Sequence, residues 1–424
     1  MTDILVIGGG GREHAIVKKL SESPRCGKLY AAPGNAGIAA LAECLPVAVT
    51  DIDGIVAAAK EKNVGLVFVA PDDPLALGAV DRLKEAGIRA YGPTAAAALL
   101  EGSKVFSKNL MKKYKIPTAD YEIFTSPADA LSYIKEKDEY PTVIKAEGLA
   151  LGKGAVIAAD FSEAEDAVRS IMEDRIFGDS GNRIVVEEFM TGPELTVLAF
   201  IDGKTVLPMI SSQDHKRAYD GDRGPNTGGM GAFAPSVHYT DALAERCMRE
   251  IYLPTVRAME AEGRPFSGVI YFQMMITPTG PCVVEYNARF GDPEAQVVLP
   301  MMKTDLLDVI DATLDGKLSD MNIEWHDGGA ACVVIASGGY PVKYEKGFKI
   351  SGLDEIPQSG DTFVYHAGTA FNSDGEIITN GGRVLCVTAR AENVEKAVDK
   401  AYASVEKISF DGSFYRRDIG RGAN

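Results

Sequence analysis

Over its first hundred residues the chain alternates short apolar runs with helix-forming segments, and that alternation restricts its possible folds more than any other feature. "DILVIG" (3–8) reads as a buried strand. A glycine-rich turn follows, and then "REHAIVKKLSES" as a helix. Next come "KLYAAPG", "LPVAV", a helix near 52–63, "GLVFVA", a helix near 75–86 and "IRAYG". Strands alternating with helices predict an open, mainly parallel sheet with helices on both faces. Ligands of such sheets lie beyond the carboxyl ends of the strands. Those ends are "GGGGREH", "APGNAG" and "APDDPLALG".

The 424-residue length predicts about three domains at roughly 150 residues each. The expected class is α/β and α+β multidomain. Residues 1–102 form the N-terminal α/β domain. Residues 103–325 form a central domain with a small mobile α+β subdomain at about 120–190. Residues 326–424 form a β-rich C-terminal domain that closes on the amphipathic helix "NVEKAVDKAYASVEKI".

The net charge is -16, from 60 acids against 44 bases. Such a chain has no global attraction to nucleic acid or to anionic membrane, so neither is an expected partner. Any phosphate chemistry must use local cations and backbone N–H groups. None of the six cysteines forms a CxxC pair, which leaves zinc and dithiol redox readings unsupported. Scattered thiols fit a reducing cytoplasm. "MTDILVIGGGG" has no basic leader and reads as a first strand.

Two glycine loops invite nucleotide readings. In "GGGGREHA" (8–15), Gly8 and Gly10 begin a GxGxxG, but Glu13 stands at its third position. The dinucleotide fingerprint therefore fails. A phosphate of a smaller ligand suits the helix N-terminus better, and a plain tight turn is the bland alternative. "EGLALGKG" (147–154) has the wrong spacing for a P-loop, and Gly154 follows the lysine. It reads as a hairpin closing over phosphates, with Lys145 three residues before it on a strand. An ordinary hairpin is the alternative.

"VVEEFMTGPE" (185–194) ends a strand in acids and an aromatic, where a purine edge and ribose hydroxyls fit. A surface strand end competes with that reading. The polar, glycine-rich 211–235 segment is too long to be a mere connector. His215 within it has no obvious partner, and the other four histidines show no pattern.

The most informative stretch is "VVEYNARFGDPEAQ" (283–296). Alternation along a strand puts Glu285, Asn287 and Arg289 on one face and Tyr286, Ala288 and Phe290 on the other. Glu285 and Asn287 offer two oxygens to a hard divalent cation, and Arg289 can neutralise phosphoryl charge. An exposed polar strand face is the competing reading. Gln273 lies on the preceding strand of the hairpin "YFQMMITPTGPCVVEYN" and adds a weaker metal candidate.

Together these elements resemble the ATP-grasp enzymes: an initial α/β domain, a lysine plus glycine loop, an adenine-reading strand and a carboxylate-x-Asn metal strand. "RFGDPEAQ", "QDHKRAYDGDRGPNTGGMGAF" and "FYRRDIG" look like the phosphoribosylamine–glycine ligase family, across essentially the whole chain. The resemblance implies ligation of glycine to 5-phosphoribosylamine through a glycyl phosphate, with ATP and Mg2+ or Mn2+, as the second step of purine biosynthesis. It implies a monofunctional cytoplasmic monomer whose partners are small molecules.

By motif, Lys108, Lys145, Gly152 and Lys153 would hold the nucleotide phosphates, with Lys153 on the closing loop. Glu187, Phe189 and Glu194 would hold adenine and ribose, and Glu285 and Asn287 the metal. Arg289, Asp292 and Asp214 would face glycine and the acyl phosphate. Gly10, Gly11, Gly34, Asn35 and Pro293 would hold the sugar amine.

Two positions depart from the family's usual pattern. "PDDPL" puts Asp72, another candidate for the sugar amine, where a Glu is frequent, and Phe272–Gln273 stand where small residues are frequent. Three rival readings remain. An ATP-grasp carboxylase would depend on bicarbonate, a nucleotide sensor would lose Glu285, Asn287 or the lysines, and a fused pathway polypeptide would need a longer chain.

Overall fold

The computed structural model describes residues 1–150, 154–357 and 360–421. Strand β1 (Thr2–Gly8) feeds helix α1 (Gly11–Ser21), followed by β2 (Cys26–Pro33), β3 (Glu43–Cys44), α2 (Ile52–Glu61) and β4 (Leu66–Val69). Then come α3 (Asp72–Ala76), α4 (Ala79–Glu85) and β5 (Ala90–Tyr91). The five strands are all parallel, in the order β3-β2-β1-β4-β5. Ile4, Leu5, Val6 and Ile7 are wholly buried, as a parallel strand covered on both faces requires. β1 lies at the point where successive connections diverge to opposite sides. Its glycine turn therefore opens at the crevice such sheets use for ligands.

Two expectations shift here. The strand predicted at "LPVAV" is instead Glu43–Cys44, and Leu45–Val49 run outside the sheet. Pro46 has no N–H to give a ladder. The helix predicted near 75–86 is two helices, broken at Gly78, whose φ of 81° suits glycine.

Helices α5 (Ala95–Gly102) and α6 (Lys104–Tyr114) are separated by Ser103, whose hydroxyl accepts the Phe106 N–H at 3.1 Å and so caps α6. Next come β6 (Tyr121–Phe124), α7 (Pro127–Lys137), β7 (Thr142–Ala146), β8 (Ala155–Ala158), α8 (Phe161–Val168) and β9 (Ile184–Glu188). They form an antiparallel sheet in the order β6-β9-β7-β8. Ile144, Ala146, Ile184 and Val186 pack on Ala130, Ile134, Ala164 and Val168 of the helices. By alternation, Lys145 and Glu187 therefore stand on the sheet's other face.

The next strands are β10 (Glu194–Asp202), β11 (Val206–Pro208), β12 (Gln213–Asp214), β13 (Arg217–Tyr219), β14 (Arg223–Asn226) and β15 (Gly231–Ala234). The polar 211–235 segment is thus not a bare loop. β13 and β14 make a small hairpin. Helices α9 (Asp241–Cys247) and α10 (Leu253–Ala261) precede the hairpin β16 (Ser267–Thr277) and β17 (Gly280–Asn287). β11-β10-β16-β17 form one antiparallel sheet. Then follow α11 (Ala295–Met301) and α12 (Leu306–Leu314).

The C-terminal part holds β18 (Gly329–Ala336), β19 (Thr362–His366), β20 (Thr369–Phe371), β21 (Ile377–Thr379), β22 (Arg383–Ala391) and α13 (Val394–Val405). Its sheet runs β12-β15-β18-β22-β19. β12 and β15, from the polar segment, pair into this sheet and so carry Asp214 to the boundary between central and C-terminal regions. α13 packs Ala397, Val398, Ala401 and Val405 against the sheet. Among the described residues, no helix is long and apolar enough to cross a membrane.

Candidate active site

The β16–β17 hairpin sets the site's floor. Gln273 lies directly across from Glu285, and Tyr271 from Asn287. Cross-strand partners share a face, so Tyr271, Gln273, Glu285 and Asn287 form one polar surface. Phe272 turns to the opposite side, between Tyr252 (centroids 4.5 Å apart) and Tyr286 (5.7 Å). This departure from the family pattern is a core residue and does not enter the polar face.

Gln273 does enter it. Its Nε2 donates to Glu194 Oε2 at 3.0 Å, and among the described residues its buried Oε1 has no hydrogen-bond partner. Among the described residues the Glu285 carboxylate makes no hydrogen bond. Burial would raise its pKa, but Lys104, Lys216, Lys145 and Arg289 outweigh burial and bring it down to about 2. Asn287 Oδ1 accepts from Arg289 Nη2 at 3.2 Å. An ionised carboxylate, an amide oxygen and an orphaned amide oxygen on one face suit a hard cation that takes its other oxygens from phosphates and water. Among the described residues, no cluster of three or more His, Cys, Asp or Glu could hold a metal alone.

Above this floor lie two lysines. Lys108 Nζ is 2.9 Å from Glu187 Oε2 and donates to Thr118 Oγ1 at 2.9 Å. Lys145 Nζ is 3.0 Å from the same Glu187 oxygen and donates to the Val284 carbonyl at 3.1 Å. Lys145 thereby joins the small sheet to the strand that carries Glu285. Burial lowers the Lys108 pKa, Glu187 opposes that shift, and Lys145 adds to it. The Glu187 side chain is committed to both lysines, and among the described residues its Oε1 has no partner. Phe189 is 38% exposed at the strand end. Glu147, ahead of the glycine loop, pairs with Arg183 and accepts from Ser103 Oγ at 3.0 Å. Gly152 and Lys153 lie outside the described residues.

Arg289 forms the next layer. Its Nη2 is 2.9 Å from Glu101 Oε1, and Glu101 Oε2 accepts the Ala288 N–H at 2.7 Å. Burial opposes a lowered pKa at Asp72, but Arg289 and then Arg12 win. Asp72 thus shares the field of both guanidinium groups. Asp292 Oδ2 is 2.9 Å from Arg383 Nη2, and its Oδ1 accepts from Gln296 Nε2 at 2.7 Å. Burial, and then Asp214, raise Glu294 to about 7. Glu294 Oε1 accepts from the Tyr271 hydroxyl at 2.9 Å. Asp214 is itself raised by burial, against the pull of Lys216.

The N-terminal loops close the site from the side. Glu13 Oε2 accepts the Gly10 N–H at 2.7 Å, and its Oε1 accepts from Arg12 Nε at 2.6 Å. The residue that breaks the dinucleotide fingerprint therefore caps its own helix. A Cβ on Gly11 would lie 2.6 Å from Gln296 Nε2. Gly34 has φ 74° and donates to the Gly8 carbonyl at 3.1 Å. Asn35 Nδ2 donates to the carbonyls of Gly9 (2.9 Å) and His366 (2.7 Å). Pro293 packs under Gly229.

Three family models match in succession. The phosphoribosylglycinamide synthetase N domain covers residues 2–101, its ATP-grasp (A) domain 102–295 and its C domain 330–422. The chain belongs to the phosphoribosylglycinamide synthetase family. It is 48% identical to the phosphoribosylamine–glycine ligase of Caldanaerobacter subterraneus subsp. tengcongensis, over 99% of each chain. It is likewise 48% identical to that of Halalkalibacterium halodurans, over 99% of this chain and 97% of the other. The crystal structure of the Thermotoga maritima phosphoribosylamine–glycine ligase matches with a TM-score of 0.85 at 34% identity, covering 98% of this chain and 100% of that one. A Campylobacter jejuni biotin carboxylase, 15% identical with a TM-score of 0.75 over 98% and 93% of the two chains, shares the fold.

Sequence reasoning about this synthetase-family chain missed Glu101, Glu294, Lys216, Gln296 and Arg383 as parts of the site. Lys216 had a signal, two residues from Asp214 in the polar, glycine-rich segment. Glu294 stood in the quoted "RFGDPEAQ" without a role. Glu101 and Arg383 had none, because each meets its partner only through the tertiary fold.

Proposed function

We propose that this chain, an ATP-dependent ligase of purine biosynthesis, joins glycine to 5-phospho-D-ribosylamine, releasing ADP and phosphate. The observation that carries the reading is Lys145, which contacts both Glu187 in the small sheet and the Val284 carbonyl beside Glu285. A nucleotide lying between those sheets would have its phosphates beside Lys108 and Lys145, and its base near Glu187 and Phe189. Glu194 would take the ribose hydroxyls.

A glycine carboxylate oxygen attacks the γ-phosphorus. The bond from that phosphorus to the bridging oxygen breaks, and ADP leaves with its electrons. The amine nitrogen of the sugar then attacks the acyl carbon of glycyl phosphate. Phosphate departs, and the nitrogen loses a proton. The activated group is carried by the substrate, so no Ser, Cys or His nucleophile is required. The work of the protein is positioning and charge neutralisation.

In this reading Arg289, held by Glu101, faces the transferred phosphoryl group. Asp214 and Glu294 form the acidic wall that receives the glycine ammonium, and Asp292 borders the acyl phosphate. Gly10, Gly11, Gly34, Asn35, Asp72 and Pro293 border the sugar amine. Glu285 and Asn287, with Gln273 beside them, would hold Mg2+ or Mn2+. Such an ion supplies Lewis-acid neutralisation of phosphate oxygens. Lys153 and Gly152 are assigned to the phosphates by motif alone. The domain division 1–102, 103–325 and 326–424 and a monomeric cytoplasmic enzyme complete the proposal.

The test is ADP release with Mg2+, generating the sugar amine in place from ribose 5-phosphate and ammonia. Release should require both glycine and the amine. Release that follows bicarbonate instead would overturn the substrate assignment.

A further inference from the structure

Arg383 opens β22 in the C-terminal sheet, where its neighbour across the ladder is Ala336. Its side chain is nonetheless only 18% exposed and reaches the Asp292 carboxylate. Nη1 donates to the carbonyls of Gly228 and Asp292, each at 2.7 Å. Nη2 lies 2.9 Å from Asp292 Oδ2. One guanidinium thus binds the Asp292–Pro293 turn and the 226–230 segment at once.

The glycines of that segment lie close against this side chain and against Pro293. A Cβ on Gly228 would sit 3.0 Å from Arg383 Cζ, so the backbone lies against the guanidinium where a larger residue would crowd it. A Cβ on Gly229 would sit 2.5 Å from Pro293 Cδ, and Gly229 has φ 112°. The pair "GG" in "PNTGGMG" is therefore the surface on which Arg383 and Pro293 both pack. A lysine would offer a single charged point where the fork serves two directions.

We propose that Arg383 is a positioning residue for the ligase reaction. It fixes Asp292, Pro293 and the 226–230 segment as one wall of the pocket for glycine and the sugar amine. The C-terminal domain thereby completes a site whose nucleotide half belongs to the central domain. This rests on the reaction proposed above.

The experiment uses the full-length enzyme, with each substrate varied in turn. Arg383→Ala should lower kcat/KM for glycine and for the sugar amine by roughly 10²-fold, the scale on which a displaced binding wall acts. KM for ATP should stay near the wild-type value, whereas the Tm should fall because Asp292 loses its buried partner, and Arg383→Lys should recover part of the kinetic loss. Gly228→Ala should give the same selective loss in the wild-type background and little further loss in the Arg383→Ala background. Wild-type behaviour in Arg383→Ala overturns the proposal. So does a loss of ATP affinity as large as that for glycine and the amine in both Arg383→Ala and Gly228→Ala, which would mark a purely structural role. A wild-type enzyme whose ADP release ignores glycine and the amine would overturn the reaction assignment itself, before any variant is made.

Discussion

Lys145 Nζ lies 3.0 Å from Glu187 Oε2. The same carboxylate oxygen lies 2.9 Å from Lys108 Nζ. Two ammonium groups thus share one buried counterion, and removing it leaves two like charges together out of water. Breaking a buried pair in this way costs about 3–5 kcal/mol. Glu187→Ala should therefore lower the Tm of the ligand-free protein. Saturating ATP should restore part of the loss, because its phosphates supply the missing negative charge. Differential scanning fluorimetry with and without ATP checks this, and an unchanged ligand-free Tm would contradict it.

Glu285 keeps its charge because Lys104, Lys216, Lys145 and Arg289 surround it. Glu285→Gln removes the one ionised oxygen donor on the β17 face while preserving shape. Turnover should fall by roughly 10²-fold or more, with little change in glycine affinity. Steady-state kinetics alongside calorimetric titration of glycine separates the two effects. Equal turnover in the variant would refute the metal assignment.

Glu101 holds Arg289 at 2.9 Å and takes the Ala288 N–H at 2.7 Å. Glu101→Ala strips a buried guanidinium of its partner, at a cost on the order of 3 kcal/mol. Urea denaturation should show the midpoint falling without a change of slope. Glu101→Gln keeps one acceptor and should lose less.

His14 and His366 are buried together, with His14 Nδ1 accepting the His366 N–H at 2.8 Å. Burial first, then His366 and Lys18, lowers His14 to about 3, and burial lowers His366 to about 4. Both folded pKa values lie below the unfolded value near 6.5. The stability they contribute is therefore complete above pH 6.5 and is lost as pH falls towards 3–4. The slope is at most about 1.4 kcal/mol per pH unit for each histidine. His14→Gln should flatten the fall in stability between pH 6.5 and 4 relative to the wild type. Parallel curves would contradict the buried, neutral assignment.

Local pattern revealed whatever depends on neighbours in the chain. Alternation alone placed Glu285 and Asn287 on one strand face, and a short turn paired that strand with Gln273. The glycine turn after β1 followed from the strand–helix sequence. Other features depend on distant partners. Arg383 meets Asp292 across 91 residues and Glu101 meets Ala288 across 187. His14 meets His366 across 352. The strands inside 211–235 were hidden because they are only two to four residues long, and β15 finds its partner, β18, about a hundred residues further along the chain. Glu187 looked like an adenine contact from its place at a strand end. Only the fold brings Lys108 and Lys145 onto its carboxylate.

The central claim is that ATP activates the carboxylate of glycine. Glycine labelled with 18O in its carboxylate, turned over with ATP and the sugar amine, tests that claim most directly. The account predicts that one labelled oxygen per turnover leaves in inorganic phosphate, because the attacking carboxylate oxygen departs with the phosphoryl group. Phosphate free of label, with one 18O kept in the glycinamide carbonyl and the other lost to water, would contradict it.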